Sequence, residues 1–213
     1  MKKNFDTYTE IKERILSLDY RPGSRLSEAR LAVELGVGRS PIRTALKRLE
    51  VEGWVNVLPQ SGTIVAEFGV DDVVELCELR MLLEAHVARI ATERLDNPTL
   101  QSLRAMFDAL AGEETKNITS IEVFDDIFHK TLYEHAENGL IQTTLMNLRD
   151  QIRWIRRANS LRSCRVAESL AEMGAVLAAL EARDSTAAAN LMETHIRNIG
   201  VAYRQEHEKE KNP

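Results

Sequence analysis

The chain has 213 residues, of which 44% are apolar and 29% are charged, and its formal net charge is −5 at neutral pH. This length and composition are typical of a soluble protein with two domains. No apolar run approaches the roughly 18 residues that span a bilayer, and the N-terminus lacks the apolar segment of a signal peptide. We therefore expect a cytoplasmic protein with no membrane partner. The cysteines, Cys77 and Cys164, are too far apart for a CxxC motif, which argues against a zinc ribbon or a disulfide framework and favours buried thiols.

The charge is distributed unevenly along the chain. Residues 1–66 contain 11 Lys and Arg against 8 Asp and Glu, a net of +3, whereas the remainder contains 17 against 25, a net of −8. Because a phosphate backbone attracts basic surfaces, the N-terminal part is the candidate for binding nucleic acid. The acidic remainder would be repelled by it.

Three short helices are predicted before residue 54. Apolar residues recur at helical spacing over residues 8–18 and over the segment SEARLAVEL, after which Gly36 is predicted to end the helix. The third helix is predicted to begin at Ser40 as N-cap with Pro41 in its first turn, and to end at Gly53. One face of this helix is apolar and consists of Ile42, Ala45, Leu46 and Leu49. The spacing predicts a helix-turn-helix, although it also fits an amphipathic hairpin with a solvated basic face.

Strand-forming residues follow the third helix. Trp54, Val55 and Val57 precede the turn Pro59-Gln60-Ser61-Gly62, and Ile64 and Val65 follow it. This pattern predicts a two-stranded wing. Three helices and a hairpin together make a winged helix-turn-helix.

The segment GSRLSEARLAVELGVGRSPIRTALKRLEVEGWVNVLPQSGTIV resembles the DNA-binding domain of the GntR family of bacterial transcription regulators. The resemblance implies that Arg39, Ser40, Arg43 and the wing residue Gly62 contact DNA. Gly38 departs from the Ser or Thr that is usual in the family, which implies a lost phosphate contact or a changed base preference.

The chemistry of these residues supports such contacts. Arg39 and Arg43 carry guanidinium groups that can bind guanine or phosphate through two hydrogen bonds. The Ser40 hydroxyl and the amides of the first helical turn suit a phosphate oxygen. For Thr44, Lys47 and Arg48, both a phosphate contact and simple solvation remain open.

From Val70 onward the pattern predicts long helices and few strands. We expect a winged domain at residues 1–68 and an all-α domain of about six helices at residues 69–213, which makes the fold mainly α. The segments ELRMLLE, FDDIFHKTL, AENGLI and ARDSTAAANLMETHI resemble the FCD effector domain of the FadR subfamily.

A metal site is suggested within the second domain. Asp125 and His129 are four residues apart, so both lie on one helix face and can bind the same ion. The FCD resemblance implies a divalent ion, zinc, manganese or nickel, held by this pair, by His195 and by a further His. Met173 occupies the place of that further His, and a thioether is a poor ligand for these metals. Either a three-ligand ion persists, or the metal has been lost and the pocket binds its effector directly.

Two more residues match effector-site positions of the FCD domain. Arg80 matches an arginine that faces the effector cavity, where it would pair with a carboxylate ligand. The alternative for Arg80 is an ordinary ion pair with Glu84 in the next turn. Asn138 also matches the family, and its position additionally predicts a cap for the helix that follows.

The predicted function is a sequence-specific DNA-binding regulator, expected to be a repressor, controlled by a small carboxylate metabolite. We expect a homodimer on a palindromic operator, since symmetric dimers suit paired half-sites. The alternatives are a metal-dependent hydrolase, in which Asp125, His129 and His195 hold an ion that activates water, and a helical interaction module. No placed general base supports a hydrolase, and neither alternative explains the arginines that flank Ser40 and Pro41.

Overall fold

The computed structural model describes residues 6–58, 62–112, 117–158 and 165–211. The helices and strands in these ranges are α1 Thr7–Leu16, β1 Arg25–Leu26, α2 Glu28–Leu35, α3 Arg39–Val51, β2 Val55–Leu58, β3 Gly62–Val65, α4 Val70–Arg94, α5 Asn97–Ala111, α6 Ile118–Glu134, α7 Gly139–Ala158, α8 Val166–Glu181 and α9 Ser185–Lys211. The predicted fold class, mainly α with an N-terminal winged helix-turn-helix and a C-terminal helical domain, is confirmed.

The chain divides by packing into two units. The winged unit comprises Met1–Phe68 and Arg149–Arg162, and the helical unit comprises Gly69–Leu148 and Ser163–Pro213. Helix α7 therefore contributes its first half to the helical unit and its second half to the winged unit. The predicted boundary at residue 68 assigns the whole of α7 to the second domain. Helical periodicity cannot show that its second half packs with the winged unit, because it does not reveal which unit a helix packs against.

The three helices of the winged unit enclose an apolar core. Ile11 and Ile15 of α1 are fully buried, and Leu31 of α2 is 2% exposed. From α3, the predicted face is buried throughout: Ile42, Ala45, Leu46 and Leu49. Gly36 and Gly53 end α2 and α3 with positive φ angles of 66° and 79°, as the sequence predicts.

The start of α3 differs from the prediction. The helix begins at Arg39, and its N-cap is Gly38, which makes no side-chain capping hydrogen bond. Ser40 is therefore the second residue of the helix, and its predicted role as N-cap is wrong. Pro41 is still tolerated, because the first amides of a helix have no partner within it.

The wing contains the predicted hairpin and one additional strand. β2 and β3 pair in antiparallel register from Val55 opposite Val65 to Leu58 opposite Gly62. β1 pairs with the other edge of β3, so the sheet has three strands in the order β1-β3-β2. A two-residue strand is too short to produce a periodic sequence signal. The turn residues 59–61, which the prediction also included, lie outside the described residues.

The helical unit is built around the pairing of α4 with α9, with α8 packed against α9 and α5 against α8. Close approach is possible where small residues meet larger ones. A Cβ atom at Gly174 of α8 would overlap the ring of Phe107 on α5, so any larger residue would require this ring to move. Cys77 of α4 is buried as predicted, and Cys164 lies outside the described residues. Across the described ranges, none of the helices combines the length and apolarity that a membrane span requires.

Candidate DNA-binding face and histidine cluster

Helix α3 exposes the polar face that the sequence predicts for binding DNA. All six predicted side chains of this helix are exposed, namely Arg39, Ser40, Arg43, Thr44, Lys47 and Arg48. Their exposure follows from the burial of the opposite apolar face, which fixes the rotation of α3 about its axis. We refer to these six residues as the recognition face.

Arg43 is held by an acidic neighbour. Its Nε and Nη2 atoms donate to the two carboxylate oxygens of Glu28 on α2, at 3.1 and 2.9 Å. The hydrogen bonds from Arg43 lower the pKa of Glu28 below its usual value. The Arg43 side chain remains 72% exposed, so it can exchange this surface ion pair for a DNA base or phosphate at little cost.

Arg48 is engaged at the other end of the helix. Its guanidinium lies 3.6 Å from the ring centroid of Tyr8 and donates to Glu52 Oε1 at 2.9 Å. Thr44 donates its hydroxyl to the carbonyl of Ser40 at 3.2 Å. Thr44, Arg48 and Arg43 thus each make a contact within the winged unit that binding to DNA would have to replace or keep.

Gly62 begins strand β3 at the exposed end of the wing. Its φ angle of +88° lies in the region that side-chain-bearing residues rarely adopt. Among the described residues, apart from its chain neighbours, no heavy atom lies within 4 Å of the position that its Cβ would occupy. The positive φ angle is therefore a sufficient reason for glycine at position 62. The space next to its Cα atom is also compatible with a close approach of DNA.

In the helical unit, the three predicted metal ligands come together. Asp125 and His129 from α6 and His195 from α9 offer ligand atoms that all lie within 4.8 Å of one another. His129 Nε2 lies 3.6 Å from Asp125 Oδ1, and the rings of His129 and His195 stack with centroids 5.5 Å apart. Both histidines are fully buried. We call these three residues the histidine cluster.

The two histidines each turn one ring nitrogen away from the cluster, toward a carboxylate. His195 Nδ1 lies 2.8 Å from Glu172 Oε2 in a hydrogen bond, and His129 Nδ1 lies 2.7 Å from Glu84 Oε2 at an angle outside hydrogen-bond geometry. The Nε2 atoms of both histidines are buried, and neither has a hydrogen-bond partner among the described residues. Carboxylates at Nδ1 favour the tautomer with a free lone pair on Nε2, which is the form that ligates metals.

Glu172 is itself held firmly. Asn198 Nδ2 donates to Glu172 Oε1 at 2.7 Å, and Arg165 donates to the same oxygen. Burial alone would raise the pKa of Glu172, but the hydrogen bonds from His195 and Asn198 bring it below the usual value. Burial lowers the pKa of His195, against the opposing effect of Glu172, so its imidazole is neutral at neutral pH. A neutral imidazole is what metal binding requires.

Arg80 and Glu84 form a buried ion pair next to His129. Arg80 Nε donates to Glu84 Oε1 at 2.5 Å, and the two side chains are 3% and 1% exposed. Burial would raise the pKa of Glu84, but the positive charge of Arg80 outweighs this and holds the pKa well below its usual range. The ion-pair alternative for Arg80 is thus present, in a buried rather than a surface form. Its predicted contact with an effector stays a prediction.

Tyr133 lies one turn beyond His129 on the same face of α6. Its ring centroid is 6.0 Å from that of His129, and the side chain is 1% exposed. Within the described part of the chain, its buried hydroxyl has no hydrogen-bond partner of acceptable geometry. Burial, reinforced by the charge of Glu84, raises the pKa of Tyr133 well above its usual value. The hydroxyl is therefore a protonated donor, which the sequence analysis missed.

Asn138 and Met173 complete the predicted positions. Asn138 Oδ1 accepts hydrogen bonds from the amides of Leu140 and Ile141 at 3.0 and 3.2 Å, as expected for the cap of α7. Met173 is fully buried on α8 beside Glu172.

The donor set of the histidine cluster fits a divalent metal ion. A carboxylate oxygen and two imidazole nitrogens are ligands of zinc, manganese and nickel. In a tetrahedral site with bonds of about 2.1 Å, ligand atoms are separated by about 3.4 Å, and the 3.6 Å between Asp125 and His129 is close to this. A bound ion, ligand or water molecule would give the Nε2 atoms of His129 and His195 a partner.

Comparison with known proteins agrees with both parts of this description. Residues 5–65 match the family model described as bacterial regulatory proteins, gntR family, and residues 75–198 match the FCD domain. The Nta operon transcriptional regulator of Aminobacter aminovorans is 31% identical over 143 residues, which cover 66% of this chain and 67% of that protein. The HTH-type transcriptional repressor RspR of Escherichia coli is 26% identical over 203 residues, covering 95% and 89% of the two chains.

A solved structure shows the same fold. Escherichia coli McbR/YncC matches with a TM-score of 0.75 and 21% identity, covering 94% of this chain and 96% of that chain. The FCD match alone covers more than half of the present chain. The chain belongs to the GntR family of DNA-binding transcription regulators, in the FadR-like subfamily that carries an FCD domain.

Proposed function

We propose that this regulator is a repressor whose DNA affinity is controlled by a small carboxylate bound at the histidine cluster. The proposal is supported by three buried polar atoms of neighbouring side chains that have no hydrogen-bond partner among the described residues: Nε2 of His129, Nε2 of His195 and the hydroxyl of Tyr133. Burying such atoms without partners is costly, so sites of this kind are completed by a ligand, an ion or water.

A divalent ion is the first component of the proposed site. Asp125, His129 and His195 would hold it, and Glu84 and Glu172 would orient the two imidazoles. With Met173 in place of a further histidine, three protein ligands leave coordination positions open. Once bound, the ion supplies a positive charge with open positions, to which a carboxylate oxygen binds readily.

The carboxylate is the second component. Tyr133 offers a buried hydroxyl donor beside His129, and the predicted effector residue Arg80 offers a buried guanidinium whose charge is already balanced by Glu84. Because Glu84 already neutralises the charge of Arg80, we expect the effector to be small and to be oriented mainly by the ion and by Tyr133. Asn138, which caps α7, is proposed as a second predicted effector residue.

On the DNA side, we propose that Arg39, Ser40 and Arg43 contact base edges or adjacent phosphates. The sugar-phosphate backbone of the DNA would be contacted by Thr44, Lys47, Arg48 and Gly62. A homodimer would place two winged units on the half-sites of a palindromic operator. Leu82 of α4, which is 73% exposed, is an apolar side chain that a second copy can cover.

A repressor is favoured because the RspR relative is named a transcriptional repressor. Regulation also requires that the effector differ in affinity for the DNA-competent and DNA-incompetent arrangements. The relatives are named as transcription regulators, which favours this role over a metal hydrolase or an interaction module. We propose that the protein acts in the cytoplasm, where an operator is accessible.

Elemental metal analysis of the chain purified without chelators or a metal-binding tag tests the first component. We expect near-stoichiometric zinc, manganese or nickel in the wild type, and loss of the metal in His129→Ala and Asp125→Asn. His86→Ala, which changes an exposed histidine of α4, is the matched control and should keep the metal. Metal-free wild type would indicate that Met173 marks a lost site, and the search for effectors would then turn to carboxylates bound by protein groups alone.

A further inference from the structure

The second half of helix α7 belongs to the same packing unit as the winged helix-turn-helix. Three of its residues, Asp150, Gln151 and Trp154, contact that part of the chain. Residues three and four apart lie on one side of a helix, so these three share a face. We call this face of α7 the dock.

Gln151 binds the C-terminal end of α3, the helix that carries the recognition face. Its Nε2 donates to the carbonyl oxygen of Glu52 at 2.8 Å, and its side chain is almost fully buried. Glu52 is the C-cap of α3, where carbonyl groups have no partner within the helix. A Cβ at the next residue, Gly53, would lie 3.0 Å from Gln151 Nε2. Glycine at position 53 thus permits both the helix end and the approach of α7.

The residue that Gln151 binds also organises its surroundings. Glu52 Oε2 accepts the hydroxyl hydrogen of Tyr8 at 2.5 Å, and Oε1 accepts from Arg48 at 2.9 Å. Tyr8 belongs to α1 and Arg48 to the recognition face. Gln151 therefore donates its hydrogen bond to Glu52, the residue that connects α1 with the end of α3 and with the predicted DNA-binding side chain of Arg48.

The other dock residues hold the remainder of the winged helix-turn-helix. Asp150 pairs with Lys12 of α1 at 2.8 Å. The Trp154 ring packs edge-on against Trp54 and Phe68, with centroids 5.9 and 5.6 Å apart. Trp54 and Trp154, the two tryptophans of the chain, are 0% and 1% exposed. Without α7, the apolar surface of Trp54 would lose this cover.

We propose that Gln151 is a positioning residue for DNA recognition. By binding the C-terminal end of α3, it fixes the orientation of the recognition face relative to α1 and the wing. Helix α7 is continuous and also packs in the helical unit, where it begins next to Asn138.

The test replaces Gln151 with Met, which has a similar length but no donor. Operator affinity is measured on a DNA sequence selected with the wild-type chain, and non-specific affinity on a scrambled duplex. Well below the unfolding transition, we expect operator affinity to fall by up to about tenfold, the size of effect that the loss of one hydrogen bond produces, with non-specific affinity unchanged. Gln101→Met, at an exposed position of α5, is the matched control and should retain wild-type affinity.

Unchanged operator affinity in folded Gln151→Met protein would mean that the residue serves stability only, and this would overturn the proposal. Equal losses on both duplexes would also contradict it. If Gln151→Met does not fold, Asp150→Asn weakens the same dock through a more exposed ion pair. A severalfold loss of operator affinity then supports the proposal, and no loss refutes it. Tryptophan emission reports the state of the dock in every variant, because both tryptophans lie there. None of these measurements requires metal or effector.

Discussion

Replacement of Glu172 by Gln is the sharpest test of how the histidine cluster is built. Glu172 accepts the hydrogen of His195 Nδ1 at 2.8 Å and is held in place by Asn198 and Arg165. Gln has nearly the same shape, so packing is retained. The substitution changes a charge-assisted hydrogen bond to a neutral one and removes the charge that favours the ligating tautomer of His195.

The expected magnitude follows from these bonds. Charge-assisted hydrogen bonds contribute about 1.5–3 kcal/mol and neutral ones about 0.5–1.5 kcal/mol, a difference of about 1–1.5 kcal/mol. This corresponds to a loss of about tenfold in metal affinity, the lower end of the 10- to 100-fold range of comparable substitutions near metal ligands. Competition with a chromophoric chelator measures this affinity directly.

A matched control is available on α9. Glu193 pairs with Arg197 at the surface. Glu193→Gln therefore makes the same chemical change away from the histidine cluster and should leave metal affinity unchanged. Equal metal affinity in Glu172→Gln and the wild type would refute the role assigned to Glu172. A wild-type chain that binds no metal would contradict the metal component of the proposed function itself.

Three further outcomes are expected. Arg43→Ala should weaken operator binding about 10- to 100-fold, as expected when a two-bond base contact is lost, and weaken non-specific binding much less. A similar loss on both DNAs would make Arg43 a phosphate contact only. Leu49→Ala should lower the free energy of unfolding by about 2–5 kcal/mol in denaturant titration, because the side chain is fully buried. The exposed change Val51→Ala should have little effect, and similar values for the two would contradict the packing described. In a reporter assay, deletion of the gene should raise expression from the operator if the protein represses, whereas a fall would identify an activator.

The recognition helix was largely predictable from sequence because its signals are local. The spacing of Ile42, Ala45, Leu46 and Leu49 gave the buried face, which the structure confirms. The predicted N-cap is wrong because Ser40 has a strong capping preference, whereas the helix begins at Arg39, two residues earlier than that preference implies. The backbone at Gly38 adopts the extended conformation of an N-cap without a side-chain bond.

The positioning residues could not be predicted because their contacts are distant in sequence. Glu172 and His195 are separated by 23 residues, and Gln151 and Glu52 by 99. Periodicity describes one helix at a time and gives no information on which helices meet. The pairing of Asp125 with His129 could be predicted from sequence, because their four-residue separation places them on one face of α6.

In the proposed mechanism, ligands of the histidine cluster control DNA binding. Operator affinity measured by fluorescence anisotropy, with and without a divalent ion and a panel of small carboxylates, tests this most directly. We predict that one ion and carboxylate pair changes wild-type operator affinity by about 5- to 150-fold, the usual range of coupling between sites. The same pair should have no effect on His195→Gln protein that retains its fold. Identical responses of the wild type and His195→Gln would contradict the claim.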